Sequence, residues 1–172
     1  MTSPFIVRRT REEDWREYRD LRLEMLADTP EAFGETLTNA RGWDEQEWRM
    51  RSARGEASDQ ILLAAIDEPS GRWIGSMGGL VARGPDVTGA LLVGVYVSPA
   101  FRGRELGVAS AMLAEVESWA AAVDSRLKLH VHENNPRALA FYQRCGFELT
   151  GRVQPYALDR SQRELEMVKE LP

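Results

Sequence analysis

Apolar positions along the chain recur in two periods, and the switches between them mark out the elements. Residues 5–9 read as a short first strand. Thr10, with Glu13 three residues on, has the form of a capping box. Trp15, Tyr18, Leu21, Met25 and Leu26 then fall three or four apart, as one face of a helix. Asp28, Thr29 and Pro30 end that helix, and residues 28–36 are turn formers around the apolar Phe33. A second helix is expected over about residues 44–54, with Trp43, Trp48 and Met50 free for packing. Residues 61–66 suit a buried strand, 68–71 a hairpin turn, and 73–81 a glycine-rich strand. Arg83 to Asp86 turn the chain into the β-branched run 90–97, which suits another buried strand. Ser98 and Pro99 stop it, since proline removes a ladder donor. Ala109, Met112, Leu113, Val116, Trp119, Ala120 and Val123 restore the helical period. Alternation over 127–132 predicts a strand with Lys128, His130 and His132 on one face, opposite Leu127, Leu129 and Val131. A helix over 136–145 and strands over 147–152 and 165–168 complete the order.

That order is mixed α/β, without repeats or low-complexity linkers. A length of 172 residues suffices for one sizeable core, so residues 1–172 are read as a single domain. Hydrophobic residues make up 43% and charged residues 28%, as in ordinary soluble proteins. The net charge of −5 argues against a nucleic-acid binder and suits a cationic partner such as an amine. Cys145 is the only cysteine, which excludes an internal disulfide and fits a reducing cytoplasm. The apolar run in the first ten residues is too short for a secretory leader, and no stretch approaches the roughly 20 apolar residues of a membrane helix.

Two stretches carry candidate chemistry. In the first, Arg102, Gly103, Arg104, Glu105, Leu106, Gly107 and Val108 join the strand at 90–97 to the long helix. Strand, glycine-containing loop and helix aim free backbone N–H groups and a helix dipole at one point, and two arginines add charge. A phosphate or pyrophosphate is the implied ligand; the plain alternative is a tight connection with solvated arginines. The stretch is neither a Walker loop nor a dinucleotide fingerprint, because it lacks their Gly/Lys/Ser or Gly-x-Gly-x-x-Gly spacing. In the second, Asn134 or Asn135 caps a helix that accepts Pro136 in its first turn. Ala138, Phe141, Tyr142 and Cys145 form one face, and Gly146 stands where a left-handed C-cap is expected. On those grounds alone Tyr142 is a core aromatic with its hydroxyl near the rim.

The first stretch resembles motif A of the GCN5-related N-acetyltransferases, the GNAT superfamily, whose loop reads Arg/Gln-x-x-Gly-x-Gly/Ala. Arg102 and Gly107 match its first and last positions, and Glu105 replaces the usual middle glycine. The second resembles motif B, with Asn135, Ala138, Phe141, Tyr142, Gly146 and Phe147 in register. The resemblance spans essentially the whole chain. It implies a mostly antiparallel mixed sheet flanked by helices, and acetyl transfer from acetyl-CoA, with coenzyme A as product, to a primary amine within a ternary complex. It further implies that main-chain groups of Val95, Tyr96 and Val97 pair with the pantetheine arm, and that one of those amides polarises the acetyl carbonyl. The loop from Arg102 through Gly103, Arg104, Glu105, Leu106 and Gly107 to Val108 would hold the pyrophosphate. Glu105 must then point away from it. Asn135 and Tyr142 would border the pantetheine, with Tyr142 protonating the departing thiolate.

The base is less constrained. Relatives that acetylate protein N-termini carry a catalytic Glu five residues before the motif B Asn, and His130 stands at that position. An imidazole suits the task directly or through water; the plain alternative is a strand histidine satisfied by a neighbour. Glu133 is a second candidate, and Asp86 and Glu35 are candidates to draw in a cationic acceptor. A nucleophilic Cys145 is set aside, because it lies late in a helix without a basic partner. The expected acceptor is a small amine, amino-sugar or polyamine. A protein N-terminus is the alternative among enzymes, and a non-catalytic acyl-CoA-binding module is the alternative of another class. No nucleic-acid or membrane partner is expected, and a homodimer is left open.

Overall fold

The computed structural model describes residues 4–172; Met1 to Ser3, which open the segment read above as no leader, lie outside the described residues. Seven strands form one sheet: β1 (Phe5–Arg9), β2 (Gln60–Asp67), β3 (Trp73–Arg83), β4 (Thr88–Val97), β5 (Arg126–His132), β6 (Glu148–Tyr156) and β7 (Asp159–Glu170). Their order is β1-β2-β3-β4-β5-β7-β6. Every pairing is antiparallel except that of β4 with β5. That parallel ladder holds only Ala90 opposite Leu127 and Leu91 opposite Lys128, after which the two strands part.

Alternation along the strands divides the core between the two faces of the sheet. One face packs Leu63, Ile74, Met77, Leu92, Leu129 and Met167 against helix α4 (Val108–Ala121), with Tyr142 of helix α5 (Pro136–Arg144). The other packs Ala64, Trp73 and Tyr96 against α1 (Trp15–Asp28), α2 (Leu37–Arg41) and α3 (Glu45–Ser52). The predicted face of α1 is buried at all five positions. Among the described residues no helix is long and apolar enough to cross a membrane.

Three local expectations are corrected. Thr10 caps nothing: it is fully buried, and its hydroxyl donates to the Ser52 carbonyl at 2.7 Å. The turn that opens at Glu12 is held instead by Asp14, whose carboxylate accepts the Arg11 N–H. Met50 and Val123 are exposed rather than packed, Val123 because α4 ends before it. Helix α2 had no sequence signal, since five residues are too short to show a period.

Candidate active site

Where β4 and β5 part, a cavity of about 750 Å³ opens through the sheet. A bulge in β4 shapes it. Ser76 pairs with Tyr96 and Gly78 with Val93, so Met77 alone opposes Gly94 and Val95. Gly94 takes φ +62, a left-handed conformation that glycine adopts without steric cost. The extra residue bends the strand and turns main-chain groups of residues 94–97 toward the cavity, where β5 no longer pairs with them.

The loop after β4 supplies the second wall. A tight turn over Pro99–Phe101 leads to Gly103 and then to Gly107, the left-handed N-cap of α4. Among the described residues, the N–H groups of residues 103–106 and of Val108, Ala109 and Ser110 meet no protein acceptor. Seven free amides at a helix start make a concave, electropositive surface suited to phosphate oxygens. Gly103, Arg104, Gly107, Ala109 and Ser110 line the cavity. Glu105, Leu106 and Val108 do not, and Glu105 is exposed, so its side chain points away from the cradle.

The loop arginines differ in use. Arg104 lines the cavity with no carboxylate partner among the described residues. Arg102 also lines it, but its guanidinium pairs with Asp28 and its Nε donates to the Val97 carbonyl at 2.8 Å. Arg137 and Arg144 of α5 join the same rim, exposed and likewise unpaired among the described residues. Sequence reasoning missed these two; their signal was the helical spacing from Asn135.

On the α5 side, the Asn135 carboxamide oxygen accepts the Ala138 N–H at 3.2 Å and caps the helix. Tyr142 is buried between Phe141 and Phe147 while still lining the cavity. Burial pushes its phenol well above the ordinary tyrosine range, so it stays protonated and able to donate. Cys145 lines the same wall, and burial raises its thiol too, which leaves it unsuited to nucleophilic attack.

Across the sheet the cavity is bordered by Thr29, Ala32, Tyr96, His130 and His132. The His130 Nε2 lies 3.6 Å from Oε2 of Glu166 on β7. His132 is buried, and its Nδ1 accepts the Asn134 N–H at 3.1 Å. The Tyr156 hydroxyl donates to the Phe33 carbonyl at 2.7 Å, tying the β6–β7 hairpin to the loop after α1. Glu133 is not placed to act as base: Arg163 bonds both its oxygens and holds the carboxyl below its usual range, and it does not line the cavity. Asp86 sits in the β3–β4 turn, at the opposite end of β4 from the bulge, and Glu35 accepts its neighbour's N–H outside the cavity.

The acetyltransferase (GNAT) family model matches residues 9–147. Among solved structures, the chain is similar to a GNAT-family acetyltransferase from Streptococcus pneumoniae, with a TM-score of 0.78 at 19% identity, covering 98% of this chain and 99% of that one. A phosphinothricin acetyltransferase from Sinorhizobium meliloti in complex with AcCoA gives a TM-score of 0.76 at 21% identity, over 98% and 89%. An N-acetyltransferase from Thermoplasma acidophilum in complex with coenzyme A gives 0.72 at 18% identity, over 99% of each chain. At these identities the likeness is one of fold. No curated protein sequence matches the chain.

Proposed function

The chain belongs to the acetyltransferase (GNAT) family, and on that premise we propose that it moves an acetyl group from acetyl-CoA to a primary amine, by direct transfer in a ternary complex. One observation carries the reading: a single cavity runs from the free-amide loop at Gly103 and Gly107, past the β4 bulge and Tyr142, to His130 on the far face.

The cofactor site and the chemistry follow from that path. The loop amides hold the pyrophosphate, while Arg104, Arg137 and Arg144 add charge at the phosphate end. The pantetheine arm lies beside residues 95–97, in the place a strand would take if β4 and β5 stayed paired. A main-chain N–H at the bulge meets the charge that develops on the acetyl oxygen. The amine lone pair attacks the thioester carbon, and its proton passes to His130, directly or through water. The C–S bond then breaks, and Tyr142 donates its proton to the thiolate sulfur.

We read the acceptor as a small amine. Thr29 and Ala32 of the loop after α1 border the cavity on the His130 side, and the Tyr156 hydroxyl pins that loop through the Pro30 and Phe33 carbonyls; a wall held in this way supports a compact acceptor over a polypeptide N-terminus. Calorimetry with acetyl-CoA, followed by thiol release and product mass over small amines and peptides, tests the reading. Micromolar or tighter binding and acetylation of small amines support it. Transfer to peptides alone makes the protein an Nα-acetyltransferase, and binding without transfer makes it a binding module.

A further inference from the structure

We propose that Glu166 is a positioning residue for the transfer: its buried carboxylate orients the His130 ring through Nε2, leaves Nδ1 for the acceptor amine, and offsets the charge His130 takes on. The inference rests on His130 being the base. Glu166 is the cross-strand partner of His130, with side chains on the same face of β5 and β7. Its Oε2 lies 3.6 Å from His130 Nε2, within ion-pair reach once the ring is protonated.

The surroundings of Glu166 are built around the carboxylate. Leu149 pairs with Met167 and Val153 with Leu165, so Thr150, Gly151 and Arg152 together oppose Glu166 alone. Gly151, at φ +87, lets β6 make this bulge. The bulge brings the Thr150 hydroxyl to Glu166 Oε1 at 3.0 Å. Thr150 Oγ1 also accepts the Arg152 N–H at 3.1 Å, which turns its own proton toward Glu166.

A carboxylate that is 5% exposed and held by one neutral hydroxyl is costly. Among the described residues His130 is the one basic group within ion-pair distance of it. The cost is offset when His130 becomes an imidazolium. Taking the amine proton at Nδ1 puts positive charge on the ring, whose Nε2 lies 3.6 Å from the carboxylate. The C–N bond forms as that proton leaves the nitrogen, the C–S bond breaks, and Tyr142 supplies the proton that the departing thiolate takes up.

Other ionisable groups on this face are Lys128 and His132 on β5, Glu164 on β7, and Tyr96 across the cavity on β4. Glu164 is the natural control, since it accepts from Gln154 instead. In Glu166→Gln, which keeps the shape and the Thr150 contact, we expect kcat to fall about tenfold to a hundredfold with both KM values within about twofold. The same change in a His130→Ala background should cost nothing further. Glu164→Gln should keep full kcat. Without substrate, the ring nitrogen NMR shifts of His130 should change in Glu166→Gln, where Nε2 loses its carboxylate neighbour, and stay as in the wild type in Glu164→Gln.

Full kcat in Glu166→Gln overturns the proposal, as does an equal loss in the His130→Ala background or unchanged His130 ring shifts in Glu166→Gln. If the wild type acetylates no amine, the functional reading fails by itself. The His130 ring shifts still decide the pairing.

Discussion

Arg102 and Asp28 join the loop that follows β4 to the last residue of α1, on the far side of the sheet from α4. The guanidinium pairs with the Asp28 carboxylate, which also accepts the Tyr96 hydroxyl at 3.3 Å, and the arginine Nε holds the Val97 carbonyl. Arg102 thereby braces the start of the amide loop, and its charge is spent on Asp28 instead of on a phosphate. Substituting Asp28→Asn should cost about 1 kcal/mol, since both side chains are about a quarter to a third exposed. That corresponds to a Tm lower by roughly 2–4 °C for a chain of this size. Acetyl-CoA affinity should weaken by about threefold at most, because the free amides themselves are untouched. A loss beyond about tenfold in calorimetry would place the Arg102 charge on the cofactor after all.

Tyr142 yields a prediction in rate and one in pH. Tyr142→Phe keeps the ring packed between Phe141 and Phe147 and removes only the hydroxyl. The kcat should fall about a hundredfold, with acetyl-CoA affinity held within about twofold. In the proposed role the acid form is the active one, and burial raises the phenol above its ordinary pKa of 10.0, so donation would be complete below that value and be lost only as pH rises through the shifted value. The wild-type kcat profile should therefore show no alkaline limb from Tyr142 below about pH 10. A Phe variant with an undiminished rate removes Tyr142 from the chemistry.

Features that depend on a few neighbouring residues were readable before any coordinates. The buried stripe of α1, the alternation that sets His130 opposite Leu129, the Asn135 cap and the left-handed Gly146 all follow from local spacing. Features that depend on register were not. Glu166 meets His130 only because β7 pairs with β5 in one register, 36 positions apart in sequence by their numbers. Thr10 looked like a cap because its partner, the Ser52 carbonyl, comes from a distant segment. Arg102 matched a phosphate motif, yet its side chain answers to Asp28, a residue of another helix.

Gly94 tests the bulge. Its φ of +62 is reached easily by glycine, tolerably by asparagine and poorly by β-branched residues. Among the described residues a Cβ built there meets nothing within 4 Å, so any penalty comes from the backbone and not from a clash. Gly94→Asn should fold and turn over within about threefold of the wild type. Gly94→Val should lose about 1–2 kcal/mol of stability or flatten the bulge, and in the second case kcat should drop at least about tenfold as the main-chain donor swings away. Thermal melts and steady-state rates on the two variants separate strain from misaimed chemistry. Equal rates in both would mean that the bulge is not part of the site.

The last prediction concerns the departure from the glycine pattern at Glu105. A carboxylate among amides proposed to hold phosphates ought to repel the ligand, and that cost would be large if the side chain faced the cavity. It does not: Glu105 is exposed and outside the lining, and only its backbone belongs to the cradle. Glu105→Gly should therefore change the acetyl-CoA Kd by less than about threefold, the residue of a screened charge at a distance. Arg104 lies on the other side of that distinction. It lines the cavity with no carboxylate to neutralise it among the described residues, so Arg104→Ala should remove one charge-assisted contact to a phosphate and weaken binding by about tenfold or more. The salt dependence of binding should also become shallower in Arg104→Ala and stay as in the wild type in Glu105→Gly. Titrations of both variants at two ionic strengths decide the matter. A marked tightening in Glu105→Gly would mean that the carboxylate turns inward when the cofactor arrives.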